Sequence, residues 1–145
     1  MAHYNWDQQL DTGIDSFDLH HQRIMEYANE IFNAVKFNDR EKVGYTLDLL
    51  LEYTVSVFSY EDNLMDQSGY PYAAEHKAVH RTFTHKIARY RQRHQMGEDV
   101  SRQLLSELKV WITNHVRRDD RDYVPYVRKK FSTNWFSRFF GKKCA

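Results

Sequence analysis

Four runs of apolar residues at helical spacing dominate this sequence and leave little room for another fold class. From about Asp18 to Phe37, His21, Ile24, Met25, Ala28, Ile31, Phe32 and Val35 recur at i, i+3, i+4 and i+7, one stripe on a 3.6-residue helix. A second stripe, from about Arg40 to Gln67, reads Val43, Leu47, Leu50, Thr54, Val57, Phe58, Glu61, Leu64 and Met65. The third, about Tyr72 to Gln95, carries His76, Val79, His80, Phe83, Ile87 and Tyr90 inward. The fourth, about Glu98 to Val116, carries Val100, Leu104, Leu108, Trp111, Ile112 and His115. The joints are short and hold helix-breaking residues: Asn38-Asp39, then Ser68-Gly69 ahead of Pro71, then Gly97. Amphipathic helices must bury their stripes against one another, and short joints make neighbours antiparallel. The predicted fold is all-α: an antiparallel up-down-up-down four-helix bundle. Only 5 Gly and 2 Pro among 145 residues fit long helices better than a turn-rich β fold.

The ends of the chain break the period. Trp6, Ile14 and Phe17 are spaced neither as helix nor as strand, so residues 1–17 read as an irregular arm laid over the core. Asp15, Ser16 and Asp18 offer capping oxygens to the first helix. A short helix is predicted near Pro125 to Phe131. Residues 1–131 form one domain on this reading, and 132–145 an aromatic and basic tail. The stretch Trp135 to Phe140 suits a membrane surface or a partner protein, but folding back on the bundle is the favoured reading.

Bulk properties narrow the function. A net charge of +1 gives no electrostatic case for nucleic acid. Cys144 stands alone, so the chain has no internal disulfide and no thiolate cluster, as suits a reducing cytoplasm. No signal-like segment opens the chain, and no run approaches the ~18 apolar residues of a membrane span. A cytoplasmic protein is expected.

The chemistry sits on the apolar stripes. His76 and His80 lie four apart, one helical turn, so both imidazoles can reach one ion. The first helix adds His21, the second Glu61, the fourth His115, and Asp120 follows just beyond. A buried histidine alone is more often satisfied by a carbonyl. A buried carboxylate needs a cation or a donor. Four histidines and two carboxylates converging on one bundle core point to metal. Imidazole and carboxylate without thiolate suit iron, and less specifically manganese or zinc. Two carboxylates able to bridge favour two ions. His20, His3, His85 and His94 read as surface residues, and Glu26, Asp62 and Asp119 as solvated.

Taken together, these motifs resemble the hemerythrins, specifically the bacterial hemerythrin-like domains, over about Trp6 to Phe131. The carrying residues are Trp6, Gly13-Ile14 and Phe17-Asp18-Leu19-His20-His21, then Tyr60-Glu61-Asp62-Asn63-Leu64-Met65. Gly69-Tyr70-Pro71 with His76, His80 and Phe83 follows, and Trp111-Ile112, His115-Val116, Asp120 and Tyr123 close the set. The resemblance implies a non-haem di-iron site that binds dioxygen for storage, delivery or sensing. One iron would take His76, His80 and His115. The other would take His21 and a second-helix histidine four residues before the bridging glutamate. Glu61, Asp120 and a solvent-derived oxygen would bridge them. Phe17, Ile24, Phe58, Ile112 and Trp111 would form a dry wall.

One ligand is missing. Four residues before Glu61 stands Val57, while Phe58, Leu64 and Met65 keep the register. The second iron would then be more open. Three outcomes compete: water or a small anion fills the gap, or that iron is lost and a mono-metal module remains, or Tyr53, one turn before Val57, moves in as a phenolate. An oxygen-binding protein is expected rather than an enzyme. Peroxide or oxidase-type chemistry, or redox or NO sensing, is the alternative.

Overall fold

The computed structural model describes residues 15–115 and 122–130. Four helices follow in order: α1 (Asp15–Lys36), α2 (Arg40–Ser68), α3 (Ala73–Gln95) and α4 (Ser101–Asn114). A fifth helical segment, α5, spans residues 122–130. The expected arm and tail lie outside the described residues, as do Asp120, Phe131 and Cys144.

The joints obey local chemistry. Asn38 takes a left-handed φ of 55°, and Asp39 caps α2 by accepting from Lys42 N at 3.0 Å. Gly69, with φ 69°, ends α2 in the left-handed cap that a side chain resists. Pro71 sits in the turn ahead of α3.

α1 packs against α2 and α4, and α2 packs against α3. Rings close the circuit between α3 and α4, where Phe83 stacks on Trp111 at 3.7 Å. This is the antiparallel four-helix bundle that the four stripes predicted. Ile24, Ile31, Leu47, Leu50, Leu104 and Leu108 are fully buried along its axis, each worth about 1.5–3 kcal/mol relative to exposure. Val35, expected inward, is instead exposed in the last turn of α1.

The core has two parts. The larger runs from Ile24, Val57 and Phe58 to Leu104 and Ile112. The smaller joins Phe17, Leu64, Met65 and Tyr70 to Tyr123 and Val127 of α5. α5 therefore caps one end of the bundle. The polar residues of the functional site lie between these two apolar parts.

Candidate metal centre

Each stripe delivers a buried polar group to the same level of the bundle. Glu61 is 0 % exposed, and His21, His76, His80 and His115 are all buried. On α1, Phe17 belongs to the smaller cluster with Leu64 and Met65, while Ile24 belongs to the larger with Val57 and Phe58. His21 lies between the first pair of neighbours and Glu61 between the second. Antiparallel packing therefore sets His21 and Glu61 at one height.

Glu61, His76, His80 and His115 each offer a ligand atom, and these four atoms lie within 4.8 Å of one another. The three imidazoles form a near-equilateral triangle, with ring centroids 4.6, 4.8 and 4.9 Å apart. Nε2 of His80 faces Nε2 of His115 at 3.1 Å, and Oε1 of Glu61 at 3.9 Å. Ligands of one ion with bonds of ~2 Å stand roughly 3–4 Å apart. The His80–His115 and His80–Glu61 distances fall in that range. Its nitrogen and oxygen donors, with no thiolate, suit iron, manganese or zinc.

Neighbouring groups hold these ligands in place. Nδ1 of His80 meets Oδ1 of Asp62 at 2.8 Å. A carboxylate only accepts, so the imidazole proton sits on Nδ1 and the Nε2 lone pair is aimed inward. Tyr123, fully buried on α5, donates its hydroxyl to Oε1 of Glu61 at 3.1 Å. Phe58 stacks on His80 at 3.8 Å with planes 6° apart, and Trp111 on His115 at 4.2 Å and 16°. Phe17, Ile24, Phe58 and Ile112 are buried as the dry wall requires, and Trp111 is half-buried.

Three residues are not where the sequence suggested. Asp62 was expected in solvent, yet it holds His80; the clue was its place beside Glu61, one step round α2. His20 was expected to face away. It is half-buried, edge-on to Tyr60 at 5.6 Å and to Tyr53 at 6.2 Å. Burial first, and then the neighbouring His21, lower its pKa. His94 was read as a surface residue but is buried at the opposite end of the bundle. No periodic signal marked Tyr123 as a hydrogen-bond donor, because it stands outside the four stripes.

Val57 is buried in the larger apolar cluster and supplies no ligand. The ring of Tyr53 packs against Tyr27 at 5.6 Å and against His20, in the α1–α2 seam. Burial raises its phenol pKa, which keeps the hydroxyl protonated. Asp120 lies outside the described residues.

Known proteins agree with this architecture. The family model described as Hemerythrin HHE cation binding domain matches residues 12–127. A bacteriohemerythrin of Stenotrophomonas maltophilia is 41% identical over 138 residues, covering 95% of this chain and 89% of the relative. A bacteriohemerythrin of Pseudomonas aeruginosa is 37% identical, covering 97% of this chain and 100% of the relative. A wild-type hemerythrin crystal structure superposes with a TM-score of 0.82 at 26% identity, covering 87% of this chain and 98% of that one.

Proposed function

This chain belongs to the hemerythrin family, and from that premise we propose that it is a non-haem iron protein that binds dioxygen, for storage, delivery or sensing, with a more open second iron position. The observation that carries the reading is the buried cluster of Glu61, His76, His80 and His115, with four ligand atoms within 4.8 Å of one another. His76, His80 and His115 would hold one iron. His21 would hold a second, with Glu61 and Asp120 bridging the two. Iron held there would supply the electron density that a small neutral ligand such as dioxygen needs in order to bind.

The remaining work belongs to the chain. Phe58 and Trp111 lie flat on His80 and His115 and keep those rings from turning. Phe17, Ile24 and Ile112 exclude water from the centre, and a dry site slows loss of charged oxygen species. Tyr123 holds one Glu61 oxygen by a hydrogen bond, so that carboxylate keeps one orientation.

Val57 supports a more open second position than a histidine there would leave. Peroxide-type or redox-sensing chemistry is the second reading, and the missing imidazole is the observation that favours it.

Iron stoichiometry combined with an anaerobic oxygen titration tests the proposal, with Val57→His in parallel. Two irons and an oxygenated spectrum that bleaches under vacuum support oxygen binding. Catalytic loss of added peroxide with a reducing co-substrate, absent in His76→Ala, would replace it with the second reading. A chain purified from iron-replete cells without metal would overturn both.

A further inference from the structure

We infer that this centre loads its cations in two unequal steps: a first ion held tightly by Glu61, His76, His80 and His115, and a second held far more weakly beside His21. The inference rests on the reading of the cluster as a metal centre and adds an order and a difference in affinity.

The argument compares what the chain presents on the two sides of Glu61. On the α3–α4 side stand three imidazoles, already in a triangle with centroids less than 5 Å apart. Their rings are packed from behind: His80 is stacked on Phe58 and hydrogen-bonded to Asp62, His115 is stacked on Trp111, and His76 meets Tyr123 edge-on at 4.9 Å. Little ordering entropy is left for a cation to overcome there.

On the α1–α2 side stands His21, level with Glu61 but outside the group of four mutually close ligand atoms. The next inward position of α2, one turn from Glu61, is Val57. It is buried among Ile24, Phe58 and other apolar side chains, so the wall there is hydrocarbon. Tyr53 is engaged with Tyr27 and His20 in the seam. Asp120, acting as a bridge, would add one oxygen to each side and leave the difference between them unchanged.

Among the described residues, the first position thus has three imidazoles and a carboxylate, and the second has one imidazole and the shared carboxylate. Changing only a partner behind a ligand commonly costs on the order of 10–100-fold in affinity. A deficit of two direct nitrogen ligands must cost at least the upper end of that range. A separation of roughly 100-fold or more between the two dissociation constants follows.

The test is a titration of the chelator-stripped full chain with cobalt(II), read by its visible ligand-field bands and by equilibrium dialysis. One equivalent is expected to bind tightly and a second at least ~100-fold more weakly. His21→Ala should remove the weak step alone, and His76→Ala should remove the tight one. Val57→His should convert the weak step into a tight one. Circular dichroism reports whether each variant folds, and the His21→Ala and His76→Ala pair decides the matter if Val57→His does not. Two equivalents of equal affinity in the unaltered chain would overturn the inference while leaving the metal centre intact. Loss of the tight step in His21→Ala would do the same. A chain that binds no cobalt at all would instead remove the metal centre itself, and the stepwise loading with it.

Discussion

Asp62 and His80 sit one on α2 and one on α3, and the carboxylate accepts the imidazole Nδ1 proton across 2.8 Å. The contact does two things. It ties the helices together at the level of the centre, and it fixes which nitrogen of His80 is available to a cation. Asp62→Ala should therefore weaken the first metal step by about 10–100-fold without removing it. Asp62→Asn, which can still accept from Nδ1, should recover much of the loss. Zinc competition titrations measure both, and nitrogen-15 shifts of His80 in the metal-free chain report the tautomer directly. Equal affinity in all three proteins would rule out the positioning role.

Tyr123 reaches into the same centre from α5, its hydroxyl 3.1 Å from Oε1 of a fully buried Glu61. Leaving a buried acceptor without its hydrogen bond costs about 1–3 kcal/mol. Tyr123→Phe keeps the ring that packs on Phe17 at 5.3 Å and on Tyr70 at 5.7 Å. The metal-free chain should lose about 2 kcal/mol in urea denaturation with an unchanged m-value. Metal-loaded protein should lose less, because a bound cation takes over part of the work of stabilising the carboxylate.

The bundle was legible in the sequence because its signal is periodic. Val43, Leu47, Leu50 and Phe58 recur at helical spacing and are all buried. The convergence of Glu61, His76, His80 and His115 was legible for the same reason: all four interrupt apolar stripes, and a polar interruption of a buried face demands a partner. What stayed hidden depends on side-chain direction between helices. Asp62 lies about 100° round α2 from Glu61, a position that periodicity assigns to solvent, yet α3 passes close enough for His80 to reach it. His94 stands four residues after Tyr90 and continues the third stripe, so spacing alone allows its burial; what spacing could not show is that its ring lies against Gly44 of α2, whose missing side chain leaves it room. Spacing along one helix cannot reveal that a neighbour lacks a side chain.

That room gives a sign-changing prediction. A Cβ built at Gly44 would lie 2.9 Å from Nε2 of His94. Gly44→Ala gains up to about 1 kcal/mol in helix propensity, while crowding a packed ring costs about 1–3 kcal/mol. The clash should win by a small margin in the unaltered chain. In a His94→Ala background the crowding is gone, and Gly44→Ala should stabilise by about 0.5–1 kcal/mol. A double-mutant cycle by thermal or urea unfolding measures the coupling, expected at about 1–3 kcal/mol. Additive effects would show that the ring moves aside freely.

His94 also sets an acid limit on stability, remote from the metal ligands. Its pKa lies below the usual 6.5, first because the ring is buried and then because Arg40 stands beside it. A hydrogen bond between the ring and the Arg40 backbone pulls the other way, followed by the charges of Asp48 and Asp99. Arg40 itself is anchored to the backbone carbonyls of His94 and Glu98, so the cation cannot swing away when the ring charges. A depressed histidine pKa means that the unfolded chain binds more protons than the folded chain between the folded value and 6.5. Stability contributed by this group is thus fully present above pH 6.5 and falls as the pH drops below it. His94→Gln should flatten that part of the curve, whereas Asp99→Asn, which removes a charge that favours the imidazolium, should steepen it. Urea unfolding of the metal-free chain at closely spaced pH values provides the test. A His94→Gln curve parallel to that of the unaltered chain below pH 6.5 would show that the acid loss arises elsewhere.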